Sequence, residues 1–188
     1  MNKIININNL SNVKERKIFV DANIFMFVDS VVDYNGRTTK YSDAYFKLRD
    51  NNQLFTNEMI ISEYCNRAFK YNFEVQLLDD SSLKFKKFRE SSDGKEALST
   101  IFDSVNHFLT DVQLLSVKDC YPDIMKIMNE ILSGKIDITD SVIANICLER
   151  KFLVMSDDSD LFCKSDLEVI TGNPWMIRNA KMREKYTI

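Results

Sequence analysis

The sequence predicts an α/β fold in which helices flank a central parallel β-sheet of about four or five strands. Residues 18–20 and 152–155 are continuously apolar, which is typical of strands buried on both faces. Segments with helical spacing of apolar residues separate such runs, and strands that alternate with helices indicate right-handed βαβ units. The 188 residues contain no Pro-, Gly- or Ser-rich linker, so we expect a single domain over residues 1–188.

The same patterns place the individual elements along the chain. Apolar runs predict strands over 18–20, 54–56, 112–115, 152–155 and, more weakly, 167–170. Helical spacing predicts helices over 23–32, 40–50, 57–71, 122–134, 139–150 and 175–185. The helix over 122–134 is the clearest, because proline favours the first helical position and glycine favours the stop.

Residues 72–110 are predicted to form a helical insertion in a core that covers residues 17–170. Residues 172–188 are predicted to form a C-terminal helix and tail. Basic and aromatic residues alternate over 83–89, a pattern that could follow an RNA backbone and stack on its bases. We favour the simpler interpretation, an amphipathic helix in which Phe85 and Phe88 pack and the lysines are solvated.

The composition excludes several kinds of chemistry. His107 is the single histidine, which excludes mechanisms that need two histidines and His-rich zinc sites. The four cysteines form no Cys-x-x-Cys pair, so zinc knuckles and thioredoxin motifs are excluded as well. No apolar run approaches about 18 residues and no leader pattern opens the chain, so we expect a cytoplasmic protein that does not span a membrane. The net charge of −3 argues weakly against a nucleic-acid binder.

Acidic residues are concentrated where the predicted strands end. The carboxyl ends of parallel strands share one edge of the sheet, where open α/β sheets bind their ligands. Asp21 directly follows the first predicted strand, and the helix after the second strand carries Glu63 about two turns in. The other acids lie around the fourth strand: Asp140 in the first turn of the helix that precedes it, and Asp157, Asp158 and Asp160 directly after it.

Carboxylates that lie close together repel one another and stay ionised only around a cation. Oxygen ligands without histidine or cysteine suit Mg²⁺ or Mn²⁺, which can activate a water for phosphoryl displacement. Each acid also has a simpler explanation: Asp21 could cap a helix, Asp140 could complement a helix dipole, and Glu63 could pair with Arg67. Their common position at one edge favours the metal site. Without these six acids the net charge of −3 becomes +3, which is compatible with RNA as a substrate.

Three segments carry a resemblance to a known family. IFVDANIF (18–25), FTNEMIISEYCNR (55–67) and ITDSVIANICLERKFLVMSDDSDLF (138–162) resemble the motifs of the PIN-domain family of metal-dependent ribonucleases. The resemblance covers about residues 17–170 and implies a PIN-like fold. It also implies four catalytic and metal-binding carboxylates, with two further metal candidates and two supporting polar residues. The four carboxylates are Asp21, Glu63, Asp140 and Asp158, and the two further metal candidates are Asp160 and Asp157. The supporting residues are Asn23 and Ser156, where Ser156 replaces the threonine usual in the family.

The resemblance implies an endoribonuclease that uses metal-activated water and leaves 3′-hydroxyl and 5′-phosphate products. It also raises the hypothesis of a toxin from a toxin–antitoxin pair, with a small antitoxin protein as partner and a homodimer as its assembly. Asn66, Arg67 and Lys70 share a helix with Glu63, so we expect them to hold a substrate phosphate beside the metal.

Two alternatives remain open at this point. A haloacid-dehalogenase-type phosphatase also carries an aspartate after its first strand and an acidic pair after a late strand. Its nucleophile motif requires a second aspartate at position 23, where this chain has Asn23. The other alternative is a catalytically inactive PIN-like binding module, which the retention of all four carboxylates disfavours.

Overall fold

The computed structural model describes residues 3–31, 36–116 and 124–186, with side chains to Met182. The strands in these residues are β1 (Lys3–Asn6), β2 (Lys17–Val20), β3 (Gln53–Asn57), β4 (Val112–Leu115), β5 (Leu153–Met155) and β6 (Glu168–Thr171). The helices are α1 (Ala22–Val28), α2 (Arg37–Arg49), α3 (Glu58–Gln76), α4 (Phe85–Glu90), α5 (Ser92–Asp111), α6 (Ile124–Ile131), α7 (Ile138–Arg150) and α8 (Pro174–Tyr186). A short 3-10 helix spans Asp160–Cys163.

The strands form one parallel sheet in the order β1-β6-β5-β2-β3-β4, which confirms the predicted α/β class. Strand β2 lies in the interior of the sheet, and residues 18–20 are completely buried. Its continuously apolar sequence follows from this position, because helices cover both of its faces. All strands run in the same direction, so their carboxyl ends lie along one edge.

Strand β1 is the main correction to the predicted sheet of four or five strands. It pairs with β6 through Ile5 and Ile170 at the edge of the sheet. Lys3 is exposed and the other three residues are only half-buried. An edge strand of four residues beside an Asn-rich segment lacks the continuous apolar run that identifies a central strand, which is why the sequence pattern missed it.

The helices begin close to their predicted positions because polar side chains cap them. Asp21 caps α1, Asn57 caps α3 and Asp137 caps α7, each by accepting a hydrogen bond from a backbone amide of the first turn. Helix α3 extends five residues beyond its predicted end. The predicted first position of the 122–134 helix, Pro122, lies outside the described residues.

The region 72–110 is helical, as predicted, and comprises the end of α3, α4 and most of α5. The polar segment 91–94 contains the cap of α5, because the Ser91 hydroxyl accepts a hydrogen bond from the amide of Gly94. Phe88 is buried against Phe69 and Phe73, and Phe85 contacts both of the same rings. The amphipathic interpretation of residues 83–89 therefore holds for Phe88, whereas Phe85 is 42% exposed. None of the described helices has the length and apolar character needed to cross a membrane.

Candidate active site

Asp21 lies at the carboxyl end of β2, and three donors hold its carboxylate. Oδ1 accepts a hydrogen bond from the Ala22 amide at 2.7 Å. Oδ2 accepts bonds from Ser156 Oγ and from Asn23 Nδ2, each at 2.6 Å. Asp21 is 5% exposed, so these donors replace the water that the carboxylate loses on burial.

Ser156 connects two strand ends. It follows β5 directly, it is completely buried, and its hydroxyl donates to Asp21 across the β2–β5 pair. The same oxygen accepts hydrogen bonds from Asn23 Nδ2 at 3.1 Å and from the Asp158 amide at 3.0 Å. A single hydroxyl thus fixes the position of Asp158 relative to Asp21.

Asp140, Asp158 and Asp160 form the acidic cluster. Each offers a carboxylate oxygen, and these oxygens lie within 4.8 Å of one another. Asp140 is buried, Asp158 half-buried and Asp160 exposed, so the cluster opens towards solvent on one side. The amide of Asp160 donates to Asp158 Oδ1 at 2.9 Å, and the Asp137 cap accepts from the Asp140 amide at 2.8 Å.

The electrostatics of the site reflect crowded negative charge. Burial raises the pKa of Asp140 most and the charges of Asp158 and Asp21 add to this shift, which together bring the pKa to about 8. Burial is also the largest cause of the raised pKa of Asp21, which is about 6; the Ser156 hydrogen bond opposes this shift, whereas the charge of Glu63 adds to it. The pKa of Asp160 is raised by burial and by Asp158. These carboxyls hold protons more tightly than usual, first because burial disfavours their ionised forms and then because those forms repel one another.

The structure places Asp157 outside the acidic cluster. Its carboxylate accepts hydrogen bonds from Tyr41 at 2.6 Å and from the Arg37 guanidinium. Its amide donates to Asn23 Oδ1 at 3.2 Å, and its carbonyl accepts from Asn173 Nδ2 at 2.8 Å. Hydrogen bonds therefore hold the carboxylate, the amide and the carbonyl of Asp157, and they fix the backbone that carries the neighbouring Asp158.

Glu63 lies near the acids but outside the cluster. Its side chain is 33% exposed, and its charge acts on Asp21. The predicted phosphate-binding cations on the same helix are engaged with other acids: Arg67 pairs with Glu63 at 3.2 Å and Lys70 pairs with Glu74 at 3.6 Å. The simple i,i+4 explanation for Glu63 thus holds in the structure alongside any role at the site.

Asn66 and Arg67 line an open groove between α3 and α7 that is rich in acids. We call it the acidic groove; its other lining residues are Glu58, Met59, Ser62, Glu63, Asp137 and Thr139. Three of the eight side chains are carboxylates and one is a cation. A phosphate bound in this groove would therefore meet one cation beside three carboxylates.

Sequence reasoning missed several residues that shape the site. Asp137 carried a local signal, since an aspartate directly before a helical pattern is a cap candidate. Arg37 and Tyr41 carried no such signal, because they lie more than one hundred residues before Asp157 in the chain.

A polar network lies on the buried side of α7. Glu130 accepts hydrogen bonds from Ser141, Asn145 and Lys164, and these bonds satisfy the buried polar side chains of Ser141 and Asn145.

The donor set of the acidic cluster fits a hard divalent cation. Its three carboxylate groups supply oxygen atoms only, and the described part of the chain brings no histidine or cysteine into the group. Oxygen ligands of this kind favour Mg²⁺ or Mn²⁺ over zinc. The raised pKa values indicate excess negative charge that a cation would neutralise.

Comparison with known proteins identifies the fold. Neither a protein-family model nor a curated protein matches this sequence. A chain in the crystal structure of VapBC2 from Rickettsia felis, bound to a DNA fragment from its promoter, superposes with a TM-score of 0.52 and 11% identity. The match covers 82% of this chain and 98% of that one. The chain has a PIN-like fold.

The structure of PAE2754 from Pyrobaculum aerophilum matches with 15% identity and a TM-score of 0.49, over 88% of this chain and 96% of the other. The PIN-like fold confirms the architecture that the resemblance of the sequence motifs implies. At this level of identity the likeness concerns the fold alone.

Proposed function

We propose that this chain is a Mg²⁺- or Mn²⁺-dependent endoribonuclease that hydrolyses RNA phosphodiester bonds. The observation that carries the proposal is the acidic cluster of Asp140, Asp158 and Asp160 beside Asp21, at the carboxyl edge of a PIN-like sheet. Several carboxylates crowded into one partly buried pocket are costly for a fold unless a cation compensates them.

In this proposal Asp140, Asp158 and Asp160 hold the cation, and Asp21 and Glu63 complete its negative surroundings. A divalent cation bound there would lower the pKa of a water molecule and neutralise charge on a phosphodiester. The remaining tasks belong to the chain. Ser156 and Asn23 orient Asp21 and favour its ionised form, and the Ser156 oxygen holds the Asp158 amide in place.

Protonation of the carboxyls supplies a second element of the proposed mechanism. Because the pKa of Asp140 is about 8 without a cation, this carboxyl carries a proton at neutral pH and releases it when a cation binds. No histidine is required as a base, in agreement with the single, exposed His107 far from these residues in the sequence.

The phosphatase alternative gains no support from the geometry. Asn23 donates to Asp21 and accepts from the Asp157 amide, so both of its polar atoms are committed to the framework of the site. A second carboxylate at this position, which that chemistry requires, is replaced by an amide with a structural role.

The proposal is tested by Asp21→Asn. We expect purified wild-type protein with Mn²⁺ to cleave single-stranded RNA of mixed sequence, leaving 3′-hydroxyl and 5′-phosphate ends, and Asp21→Asn to lose at least about a hundredfold in rate. Asp103→Asn, which changes an exposed aspartate on α5, is the matched control and should cleave like the wild type. Circular dichroism establishes that both variants fold.

Two outcomes would reject the proposal. Asp21→Asn could cleave as fast as the wild type, in which case a contaminating nuclease or another site is responsible. The wild type could instead bind no Mn²⁺ by calorimetry and cleave no RNA, which would favour the catalytically inactive binding module.

We further propose that the chain acts in the cytoplasm as the toxin of a toxin–antitoxin pair, with a small antitoxin protein as partner and a homodimer as its assembly. The support is the fold shared with a chain of the VapBC2 structure. We expect induced expression to arrest bacterial growth and Asp21→Asn to relieve the arrest. Co-expression of a small protein encoded next to the gene should also restore growth; arrest that persists with Asp21→Asn would contradict a toxin based on RNA cleavage.

A further inference from the structure

A second groove, at the β1–β6 side of the same sheet edge, contrasts in charge with the acidic groove. We call it the basic groove; its lining residues are Asn8, Lys40, Gly172, Pro174, Ile177, Arg178, Lys181 and Met182. Three of these are cations, and none of the described lining residues is acidic. Lys40, Arg178 and Lys181 are exposed, and within the described chain no carboxylate lies within ion-pair distance of them.

Hydrogen bonds link the basic groove to Asp157, next to the acidic cluster. Gly172 lines the groove, and its amide donates to Tyr41, whose hydroxyl donates in turn to Asp157. The neighbouring Asn173 donates to the Asp157 carbonyl at 2.8 Å. Asp157 directly precedes Asp158 of the acidic cluster. Because β6 and β5 are adjacent parallel strands, the groove opens one strand away from the proposed metal ligands.

The first turn of α8 separates this groove from the acids. Pro174 faces the basic groove, whereas the next residue, Trp175, lines a pocket that it shares with Ser159 and Asp160. Trp175 is 46% exposed, and its ring contacts Phe162 edge-on at 5.3 Å, so the indole is supported from one side and open to solvent. An exposed, supported aromatic ring is the kind of surface on which an unpaired base stacks.

From this arrangement we infer that single-stranded RNA reaches the acidic cluster across α8. The Lys40, Arg178 and Lys181 side chains bind its phosphates in the basic groove, and one base stacks on Trp175 beside Asp160. This inference rests on the proposed function, which makes RNA the substrate, and it adds the surface that binds the RNA. A polyanion favours this side because the acidic groove carries three carboxylates and its Arg67 is paired. The unpaired cations of the basic groove release counterions when they meet phosphates.

The test replaces the three cations together in a groove variant, Lys40→Gln, Arg178→Gln and Lys181→Gln. The matched control changes two lysines and one arginine on the exposed side of α4: Lys86→Gln, Lys87→Gln and Arg89→Gln. RNA binding is measured in EDTA, with labelled single-stranded RNA of mixed sequence, by quenching of the chain's single tryptophan. Cleavage by the same proteins is measured with Mn²⁺ as separate kcat and KM values.

We expect the groove variant to bind RNA at least about tenfold more weakly than the wild type, with KM raised and kcat within about twofold. Its slope of log Kd against log salt should fall by about 2, because three phosphate contacts to a single strand are lost. The α4 control should match the wild type. Trp175→Ala, read with labelled RNA by anisotropy, should also weaken binding.

The outcomes separate this inference from the proposed function. If the wild type cleaves RNA and the groove variant binds and cleaves like it, the RNA path is wrong and the ribonuclease stands. A loss in the α4 control as large as that in the groove variant would also overturn the path, because it would reveal either a nonspecific charge effect or RNA binding along residues 83–89. If RNA binds through the groove but no metal condition yields cleavage, the proposed function fails and the binding surface stands. Absence of both binding and cleavage rejects both.

Discussion

The Ser156 hydroxyl lies 2.6 Å from the Asp21 carboxylate and donates its only proton to it. The same oxygen accepts the Asp158 amide at 3.0 Å, so one buried atom couples an acid of β2 to an acid of the acidic cluster. Replacing Ser156 with alanine has three consequences: Asp21 loses a hydrogen-bond donor, the pKa of Asp21 rises further, and the Asp158 amide loses its acceptor.

We therefore expect Ser156→Ala to weaken Mn²⁺ binding about ten- to a hundredfold, as is usual when a group that orients metal ligands is removed. The buried groups left without partners should cost about 1–3 kcal/mol of unfolding free energy. Ser156→Thr, which keeps the hydroxyl, should restore most of the affinity. Ser165→Ala, which changes an exposed serine, is the control. If calorimetry gives the same Mn²⁺ affinity for Ser156→Ala as for Ser165→Ala, Ser156 does not couple Asp21 to the acidic cluster.

The elevated pKa of Asp140 predicts how the stability of the metal-free protein depends on pH. The folded state binds this proton with a pKa of about 8, whereas an unfolded aspartate has a pKa of 3.8. Folding therefore takes up a proton between these values, and the unfolding free energy falls as pH rises from about 4 to 8. Asp140→Asn removes this titration and should be the more stable protein at pH 8 in EDTA, by on the order of 2 kcal/mol.

Urea unfolding of the wild type and Asp140→Asn in EDTA, at about pH 5 and about pH 8, measures this difference. Asp103→Asn, an exposed aspartate whose replacement should leave the pH profile intact, serves as control. A wild-type stability that stays level between the two pH values, or an Asp140→Asn variant less stable than the wild type at about pH 8, would contradict the expectation.

Metal affinity should depend on pH in the opposite direction. A cation competes with the protons on Asp21 and Asp140, whose pKa values are about 6 and about 8 without metal. The apparent Mn²⁺ affinity should rise between these values by up to about tenfold per pH unit and level off above about pH 8. Calorimetry in two buffers of different ionisation enthalpy would detect the released protons. Binding that is independent of pH and releases no protons would exclude Asp140 as a ligand and Asp21 as part of the negative surroundings of the cation.

Asp157 and Asp158 are neighbours with different expected roles, and paired amide substitutions separate them. Asp158→Asn removes a carboxylate of the acidic cluster and should lower Mn²⁺ affinity at least about tenfold. Asp157→Asn keeps an acceptor for Tyr41, so we expect an affinity within about threefold of wild type and a loss of about 1 kcal/mol in stability, since the Arg37 pair is partly exposed. If Asp157→Asn weakens the metal as much as Asp158→Asn, Asp157 is a ligand after all.

Gly94 provides a test of the fold away from the site. A Cβ atom there would lie 2.0 Å from the Phe88 carbonyl oxygen, so an alanine requires α4 and α5 to move apart. We expect Gly94→Ala to cost about 1–3 kcal/mol of unfolding free energy by urea denaturation, despite the higher helix propensity of alanine. An unfolding free energy equal to or above that of the wild type would contradict this expectation and would show that α4 and α5 can move apart at little cost.

The interior of the sheet and most helix starts were predictable because their signals are local. Burial on both faces requires an apolar run, and the starts of α1, α3 and α7 carry a capping side chain directly before the helix. Strand β1 was not predictable in this way, since its four residues are held by pairing with β6, far along the chain. The acids at the strand ends were found for a topological reason: parallel strands bring their carboxyl ends together whatever the details of packing.

Local patterns were enough to predict the fold class, the edge of the sheet that carries the acids, and the oxygen-only character of the site. Which acids meet depends on the tertiary structure. It groups Asp160 with Asp140 and Asp158, and it turns Asp157 towards Arg37 and Tyr41 on α2. It also pairs Arg67 with Glu63 and, among the described residues, leaves Lys40 of α2 and Arg178 and Lys181 of α8 without an ion-pair partner. The physical reason is that side-chain direction and charge pairing depend on neighbours distant in the chain, which local patterns do not encode.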